Sequence, residues 1–144
     1  MSKKDVAEAL YLKGYNCAQS VFGAFAEEMG LDFEAAMKIS AGFGGGICRL
    51  RETCGALTGM LMAYGLKSGN IDSADAAAKA ATYQICEDLA DKFECRAGSM
   101  LCKELIGINR GEKTTPEDAA RHKQICVGFV GVAADILEKY FREQ

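Results

Sequence analysis

The sequence predicts an all-α protein, a single compact domain of about six or seven helices. Apolar residues recur at helical spacing along most of the 144 residues, and glycines interrupt the pattern. No stretch of β-branched residues alternates as a strand would. The chain contains one proline and no low-complexity linker, and its length favours one domain, which we place at residues 1–144.

Capping residues mark the helix starts in the first half of the chain, and glycines mark the ends. Ser2 and Asp5 fit a variant capping box, with Gly14 ending that element. Asn16 and Gln19 fit a second box. The expected helices run from Ser2 to Gly14, from Asn16 to Gly30 and from Asp32 to about Ala41.

A glycine-rich segment, residues 42–46, follows the third helix. Four glycines in five residues predict a flexible or tightly turned loop. No Gly-Lys-Ser/Thr follows and no strand precedes it, so a phosphate-binding P-loop is not indicated. We favour a tight connection between packed helices.

The second half of the chain predicts four more helices. The last has the strongest start signal, because Pro116 follows the cap Thr115 and acidic residues fill its first turn. The expected helices run from Cys54 to about Lys67 after the cap Thr53, from Asp72 or Ser73 to about Phe93, from Ser99 to Gly107, and from Thr115 to the C-terminus.

Composition limits the classes of partner. The net charge of −3 and the absence of a Lys/Arg run favour neither nucleic acid nor an anionic membrane. The longest strongly apolar stretch, 56–66, is shorter than the roughly 20 residues that span a bilayer. No signal peptide is visible, so we expect a cytoplasmic location.

Seven cysteines are the main chemical signal. A chain of this size buries enough apolar surface to fold without disulfides, and an odd number cannot pair completely. No Cys-x-x-Cys pair is present. The cysteines are therefore expected to serve chemistry more than folding.

Three cysteines fall in the first turn of a predicted helix, namely Cys17, Cys54 and Cys102. The positive end of the helix dipole stabilises a thiolate and can lower the pKa of a thiol there. Cys126 lies farther into the last helix, one turn after His122. This single histidine is a candidate base or ligand, although a solvated basic turn is the favoured interpretation.

The other three cysteines have weaker signals. Cys86 lies on the inward side of its helix, where a small apolar side chain is expected to pack. Cys48 is close enough in sequence to Cys54 for a disulfide or a shared metal, but the spacing is not diagnostic. Cys95 has no clear assignment.

The chain resembles the C_GCAxxG_C_C family of redox-active proteins, named for a Cys…Gly-Cys-Ala-x-x-Gly…Cys…Cys pattern. Nearly the whole chain carries the resemblance, although the central motif here reads Cys-Gly-Ala. The matching segments are GYNCA at 14–18, GFGGG at 42–46, ETCGALTG at 52–59, SMLCKELIG at 99–107, and Cys126.

The resemblance implies a redox role for four cysteines, Cys17, Cys54, Cys102 and Cys126. The family is similar to part of certain multi-domain cytochromes, but no Cys-x-x-Cys-His occurs here, so covalent haem attachment is not indicated. The remaining cysteines are extra to the family pattern.

The first functional hypothesis is a thiolate-bound metal or iron–sulfur cluster that transfers electrons. Four cysteines are the usual complement for such a cluster or for tetrahedral zinc. The ligands would be the four family cysteines. Gly44, Gly45, Gly46 and Gly55 would let the backbone approach the cofactor.

Two alternatives remain open, and the metal hypothesis stands slightly ahead of them. In a thiol–disulfide protein without metal, Cys54 would attack with help from Arg49 or Arg51, and Cys17 or Cys102 would resolve. In a binding or regulatory module the thiols would have no chemical role. The expected partner is an unknown redox protein, and a homodimer is possible through the small-residue groove Gly55/Gly59/Ala63.

Overall fold

The computed structural model describes all residues, 1–144, and contains no β-strand. The expected all-α architecture is confirmed. Two short 3₁₀ turns follow the second and third helices. The seven α-helices are α1 (Lys3–Lys13), α2 (Cys17–Ala26), α3 (Phe33–Ser40), α4 (Gly55–Ser68), α5 (Ala76–Ala97), α6 (Cys102–Ile106) and α7 (Pro116–Arg142).

Most predicted caps form, and three helix starts differ from the prediction. Cys54, rather than Thr53, is the N-cap of α4. Helix α5 begins after Asp75, whose side chain accepts a hydrogen bond from the Ala78 N–H. Helix α6 begins after Leu101 rather than at Ser99, whose hydroxyl oxygen accepts a hydrogen bond from the Leu101 N–H.

The displaced starts of α4 and α6 share one cause. Thr53 and Leu101 form an isolated antiparallel bridge. The Cys54 N–H donates to the Met100 carbonyl at 2.8 Å, and the Cys102 N–H donates to the Glu52 carbonyl at 2.7 Å. Because both segments are extended where they pair, each helix begins just after the bridge and their N-termini lie side by side.

The core lies between α2, α4 and α7, with α1 packed on α2 and α7 and with α5 covering α4 and α7. Its largest fully buried side chains include Phe25, Met60, Phe93, Leu89 and Leu137. Phe93 and Leu89 come from α5, and Cys86, predicted on the inward side of that helix, packs against the core beside them. No helix is long and apolar enough to cross a membrane.

The small-residue groove of α4 is occupied by α2 of the same chain. A Cβ atom at Gly59 would lie 2.7 Å from the Ala18 carbonyl oxygen, and one at Gly55 would lie 3.2 Å from the Ala18 nitrogen. The close approach predicted for this groove is therefore an intramolecular helix contact.

The glycine-rich segment continues into a left-handed turn. Gly45, Gly46, Ile47, Cys48 and Arg49 all have positive φ angles, between 42° and 69°. Hydrogen bonds close the turn, among them Cys48 N–H to the Gly42 carbonyl at 2.8 Å. Consecutive non-glycine residues rarely adopt this backbone, least of all a β-branched one, so the segment is strained. The sequence left open a flexible or a tightly turned loop for residues 42–46, and the structure shows a tight turn.

Candidate functional site

A cavity of about 350 Å³ opens where the N-termini of α2, α4 and α6 meet the side of α7. The cysteines singled out by the family pattern all line it. One comes from each of these helices or its cap: Cys17, Cys54, Cys102 and Cys126.

Local structure fixes each of the four cysteines. Cys17 is the first residue of α2 and lies within a complete capping box formed by Asn16 and Gln19. Cys54 and Cys102 follow the paired bridge segments that hold α4 and α6 together. Cys126 lies within the long helix α7, so its position depends on how that helix packs.

The left-handed turn supports this side of the cavity. A Cβ at Gly46 would lie 2.6 Å from the Cβ of Cys102, so only glycine allows the turn to pack against that cysteine. The turn ends at Arg51, which also has a positive φ angle, 63°. Arg51 Nη1 donates a hydrogen bond to Cys102 Sγ at 3.7 Å.

Cys17 and Cys126 line the cavity together, and their interaction shifts their pKa values in opposite directions. Their hydrogen bond raises the pKa of Cys17, and burial raises it further. The same bond lowers the pKa of Cys126, with the Tyr11 hydroxyl as a second donor and the Arg51 charge as a smaller contribution, against the effect of burial. Cys126 is therefore the more acidic thiol of the two, and Cys17 keeps its proton to higher pH.

Burial governs the other two thiols. It raises the pKa of Cys54 to about 12, although the backbone N–H groups of Ala56 and Leu57 act in the opposite direction. It also raises the pKa of Cys102, against the smaller lowering effect of Arg51. The expectation that helix N-termini would lower the pKa values of Cys17, Cys54 and Cys102 is therefore wrong, because burial and the thiol pair outweigh the helix ends.

Three basic side chains reach the same cavity. They are Arg51, His122 and Lys123, and no aspartate or glutamate lines it. The sequence favoured His122 as part of a solvated basic turn, whereas the structure places it half-buried on the cavity wall. Tyr11 was missed altogether, because nothing in its sequence context links α1 to Cys126.

The other predicted site residues divide between the cavity and the surface. Gly45, Gly46 and Gly55 line the cavity, whereas Gly44 packs against Asn16 outside it. The three remaining cysteines are free and do not line it: Cys48 and Cys95 are exposed, and Cys86 is half-buried against the core.

The four thiols fit a metal or cluster by their chemistry but not by their arrangement. Thiolates are the usual ligands of zinc and of iron–sulfur clusters. No group of three or more His, Cys, Asp or Glu side chains is arranged to hold a metal ion, however. Ligation would require both movement of the side chains and loss of the thiol protons.

Comparison with known proteins gives one family. Residues 15–140 match the family described as "Putative redox-active protein (C_GCAxxG_C_C)". The chain belongs to this family. All four cysteines of the cavity fall within the matched range, so the C_GCAxxG_C_C match supports a redox-active protein. No curated protein and no solved structure gives a significant match.

Proposed function

We propose that this protein carries out thiol–disulfide exchange with Cys17 and Cys126 as its redox pair. One observation carries the proposal: these two thiols come from separate helices into one cavity open to small molecules, and Cys126 is the one of the four cavity thiols whose pKa is lowered. Exchange requires one attacking sulfur, which reacts as the thiolate, and one resolving sulfur near it.

The reaction begins with the Cys126 thiolate attacking one sulfur of a substrate disulfide. An S–S bond forms between Cys126 and the substrate, the substrate S–S bond breaks, and one thiolate leaves. Cys17 then gives up its proton to the departing thiolate and attacks the Cys126 sulfur. The Cys17–Cys126 disulfide forms and the second substrate thiolate leaves, so the protein is oxidised by two electrons and the substrate reduced by two.

This assignment changes the attacking cysteine from the one considered in the sequence. Cys54 is a poor nucleophile at neutral pH because its pKa is raised to about 12. Cys126 is favoured, since Cys17, Tyr11 and Arg51 all stabilise its thiolate. Arg51 also contacts Cys102, which makes Cys102 the candidate to pass oxidation onward.

The test is to oxidise the reduced protein with a small disulfide and map the cysteine peptides by mass spectrometry. We expect one internal disulfide, between Cys17 and Cys126. Cys17→Ser should stop the reaction at a mixed disulfide on Cys126, and Cys126→Ser should prevent both products. Cys86→Ser, outside the cavity, is the matched control. Mixed disulfide accumulating on Cys54 instead would refute the assignment.

A metal or iron–sulfur cluster is the second candidate, favoured by the four cysteines from separate helices lining one cavity. Cys17, Cys54, Cys102 and Cys126 would hold it, and it would supply electron transfer. The test is iron, zinc and acid-labile sulfide content after purification without oxygen. Stoichiometric iron and sulfide, lost in Cys54→Ser, would favour this candidate over the dithiol.

We also propose that the protein works in the cytoplasm. All seven cysteines are free, and reduced thiols are typical of that compartment. The location can be tested by fractionating cells that express a tagged chain.

A further inference from the structure

The cavity around the redox pair differs in charge from the rest of the molecule. The chain as a whole carries a net charge of −3, yet Arg51 and Lys123 line the cavity with no acidic neighbour on its wall. Neither side chain forms an ion pair with a carboxylate elsewhere in the protein. The charge of Lys123 is therefore available to a ligand, and Arg51, whose side chain donates to Cys102 Sγ, faces the cavity without a carboxylate partner.

Polar and apolar walls complete the cavity. The His122 imidazole and the Thr114 hydroxyl add hydrogen-bonding groups to the wall, and Tyr15 and Phe129 contribute aromatic surface. The volume of about 350 Å³ lies at the lower end of the range for small-molecule sites. A few convergent polar groups on a mainly apolar wall are typical of sites that bind and orient a small ligand.

Building on the proposed dithiol reaction, we propose that its substrate is a small disulfide bearing carboxylate groups, bound by Lys123, His122 and Arg51. Guanidinium and ammonium groups bind carboxylates through charge-assisted hydrogen bonds. A carboxylate bound by these groups would hold the substrate beside the Cys126 sulfur, in the same cavity. The small volume favours such a molecule over a folded redox protein.

The experiment compares three small disulfides of different charge on the reduced protein. Dithiodipropionate is a dianion, hydroxyethyl disulfide is neutral and cystamine is a dication. The rate of Cys17–Cys126 formation with each disulfide is divided by the rate at which the uncharged thiol dithiothreitol reduces the same disulfide, which removes differences in intrinsic reactivity. We expect the dianion to react about tenfold faster than the neutral compound, with the dication slowest and with added salt reducing the difference.

Lys123→Gln tests the residue assignment. Lys123 is exposed, so its loss should not disturb the fold, and we expect the ratio of dianion rate to neutral rate to fall severalfold. Lys79→Gln on α5 makes the same change in net charge outside the cavity and should leave the ratio unchanged.

The outcomes separate this inference from the proposed function. Equal normalised rates for the three disulfides, with the Cys17–Cys126 bond still forming, would overturn the anionic substrate and leave the dithiol reaction intact. A faster reaction with oxidised thioredoxin than with the dianion would also overturn it, in favour of a protein partner. Failure of every probe to form the Cys17–Cys126 disulfide would refute the dithiol reaction itself.

Discussion

At the scale of single residues, the difference between Cys17 and Cys126 depends on hydrogen-bond donors. Both thiols are partly buried, and burial alone would raise the pKa of each. The pKa of Cys126 is lowered because the Cys17 S–H and the Tyr11 O–H both donate to its sulfur. Cys17 has no such donor among the causes of its shift, so its pKa is raised while that of Cys126 is lowered.

The first prediction concerns Tyr11→Phe, which removes one donor and leaves the ring. A hydrogen bond to a charged group contributes about 1.5 kcal/mol or more, which corresponds to about one pH unit. Since the bond stabilises the thiolate, its loss should raise the pKa of Cys126 and move the midpoint of its alkylation to higher pH by about that amount. Iodoacetamide rates on the Cys126 peptide, measured by mass spectrometry across pH, provide the readout.

Tyr15→Phe is the control for that measurement. Tyr15 lines the same cavity and contacts the ring of Phe33 edge-on, but it does not contribute to the pKa shift of Cys126. The pH midpoint of Cys126 alkylation in Tyr15→Phe should match that in the parent protein. Equal midpoints for Tyr11→Phe and Tyr15→Phe would show that Tyr11 does not stabilise the thiolate.

The second prediction concerns the buried thiol Cys54. The pKa of Cys54 is raised to about 12 in the folded protein, whereas the pKa of a cysteine in an unfolded chain is about 8.5. The Cys54 thiol therefore keeps its proton up to a higher pH in the folded state than in the unfolded state. The contribution of Cys54 to stability is complete below the unfolded pKa and is lost as pH rises toward the folded one.

Cys54→Ala should remove that dependence. The free energy of unfolding of the parent protein should fall more steeply between about pH 9 and pH 12 than that of the variant, by up to about 1.4 kcal/mol per pH unit. Denaturant titrations of the reduced proteins at several pH values measure the two slopes, and other titrating groups cancel in the difference. Parallel curves would mean that Cys54 ionises as easily folded as unfolded.

At the scale of helices and turns, the contact between α2 and α4 sets the width of the cavity. Cys17 begins α2 and Cys54 caps α4, so the separation of these helices determines where both sulfurs lie. Gly59 allows the approach, because a Cβ there would lie 2.7 Å from the Ala18 carbonyl oxygen. The Ala18 carbonyl oxygen belongs to the backbone, so it cannot move aside as the end of a flexible side chain could.

The third prediction uses this contact. Gly59→Ala should destabilise the protein by about 1–3 kcal/mol, since the added methyl group must push α2 and α4 apart. Gly65→Ala lies on the same helix with open space around it, so it should be neutral or stabilise by up to about 1 kcal/mol. Urea denaturation measures both. Equal stabilities for the two variants would show that close packing is not the reason for glycine at position 59.

Local signals predicted the helices well, and tertiary pairing explains where they failed. Asn16 and Thr115 cap their helices as their side chains indicate, because a cap depends on only a few neighbouring residues. The starts of α4 and α6 depend instead on the bridge between Thr53 and Leu101, which are far apart in sequence. The strained turn at Ile47 is likewise unpredictable, since nothing local favours a positive φ angle at isoleucine.

At the scale of the whole molecule, the site is a product of packing between distant segments. The family pattern identified the four cysteines that line the cavity, and helix capping placed three of them near a helix start, with the correct cap only for Cys17. Their protonation could not be predicted in the same way. It depends on burial and on Tyr11 and Arg51, which reach the thiols only after α1 and the left-handed turn are in place.

The fourth prediction follows from the positions of Cys17 and Cys126 in the chain. A bond between them would join α2 to α7 across most of the sequence and would restrict the unfolded chain strongly. For a loop of roughly 100 residues this restriction is worth up to about 4.7 kcal/mol. The oxidised protein should therefore resist urea more than the reduced protein, with any strain in the oxidised fold subtracting from the gain. Denaturation of both forms measures the difference.

Cys17→Ser supplies the control, because it cannot form the bond and should show equal stability under oxidising and reducing conditions. The direction of the difference also bears on function. If oxidation stabilises the fold, mass action makes the Cys17–Cys126 disulfide harder to reduce, and the protein would accept electrons only from a strong reductant. A parent protein that loses stability on oxidation would mean that forming the bond strains the packing of α2 against α7. The disulfide would then be a strong oxidant, poised to pass its oxidation on through Cys102.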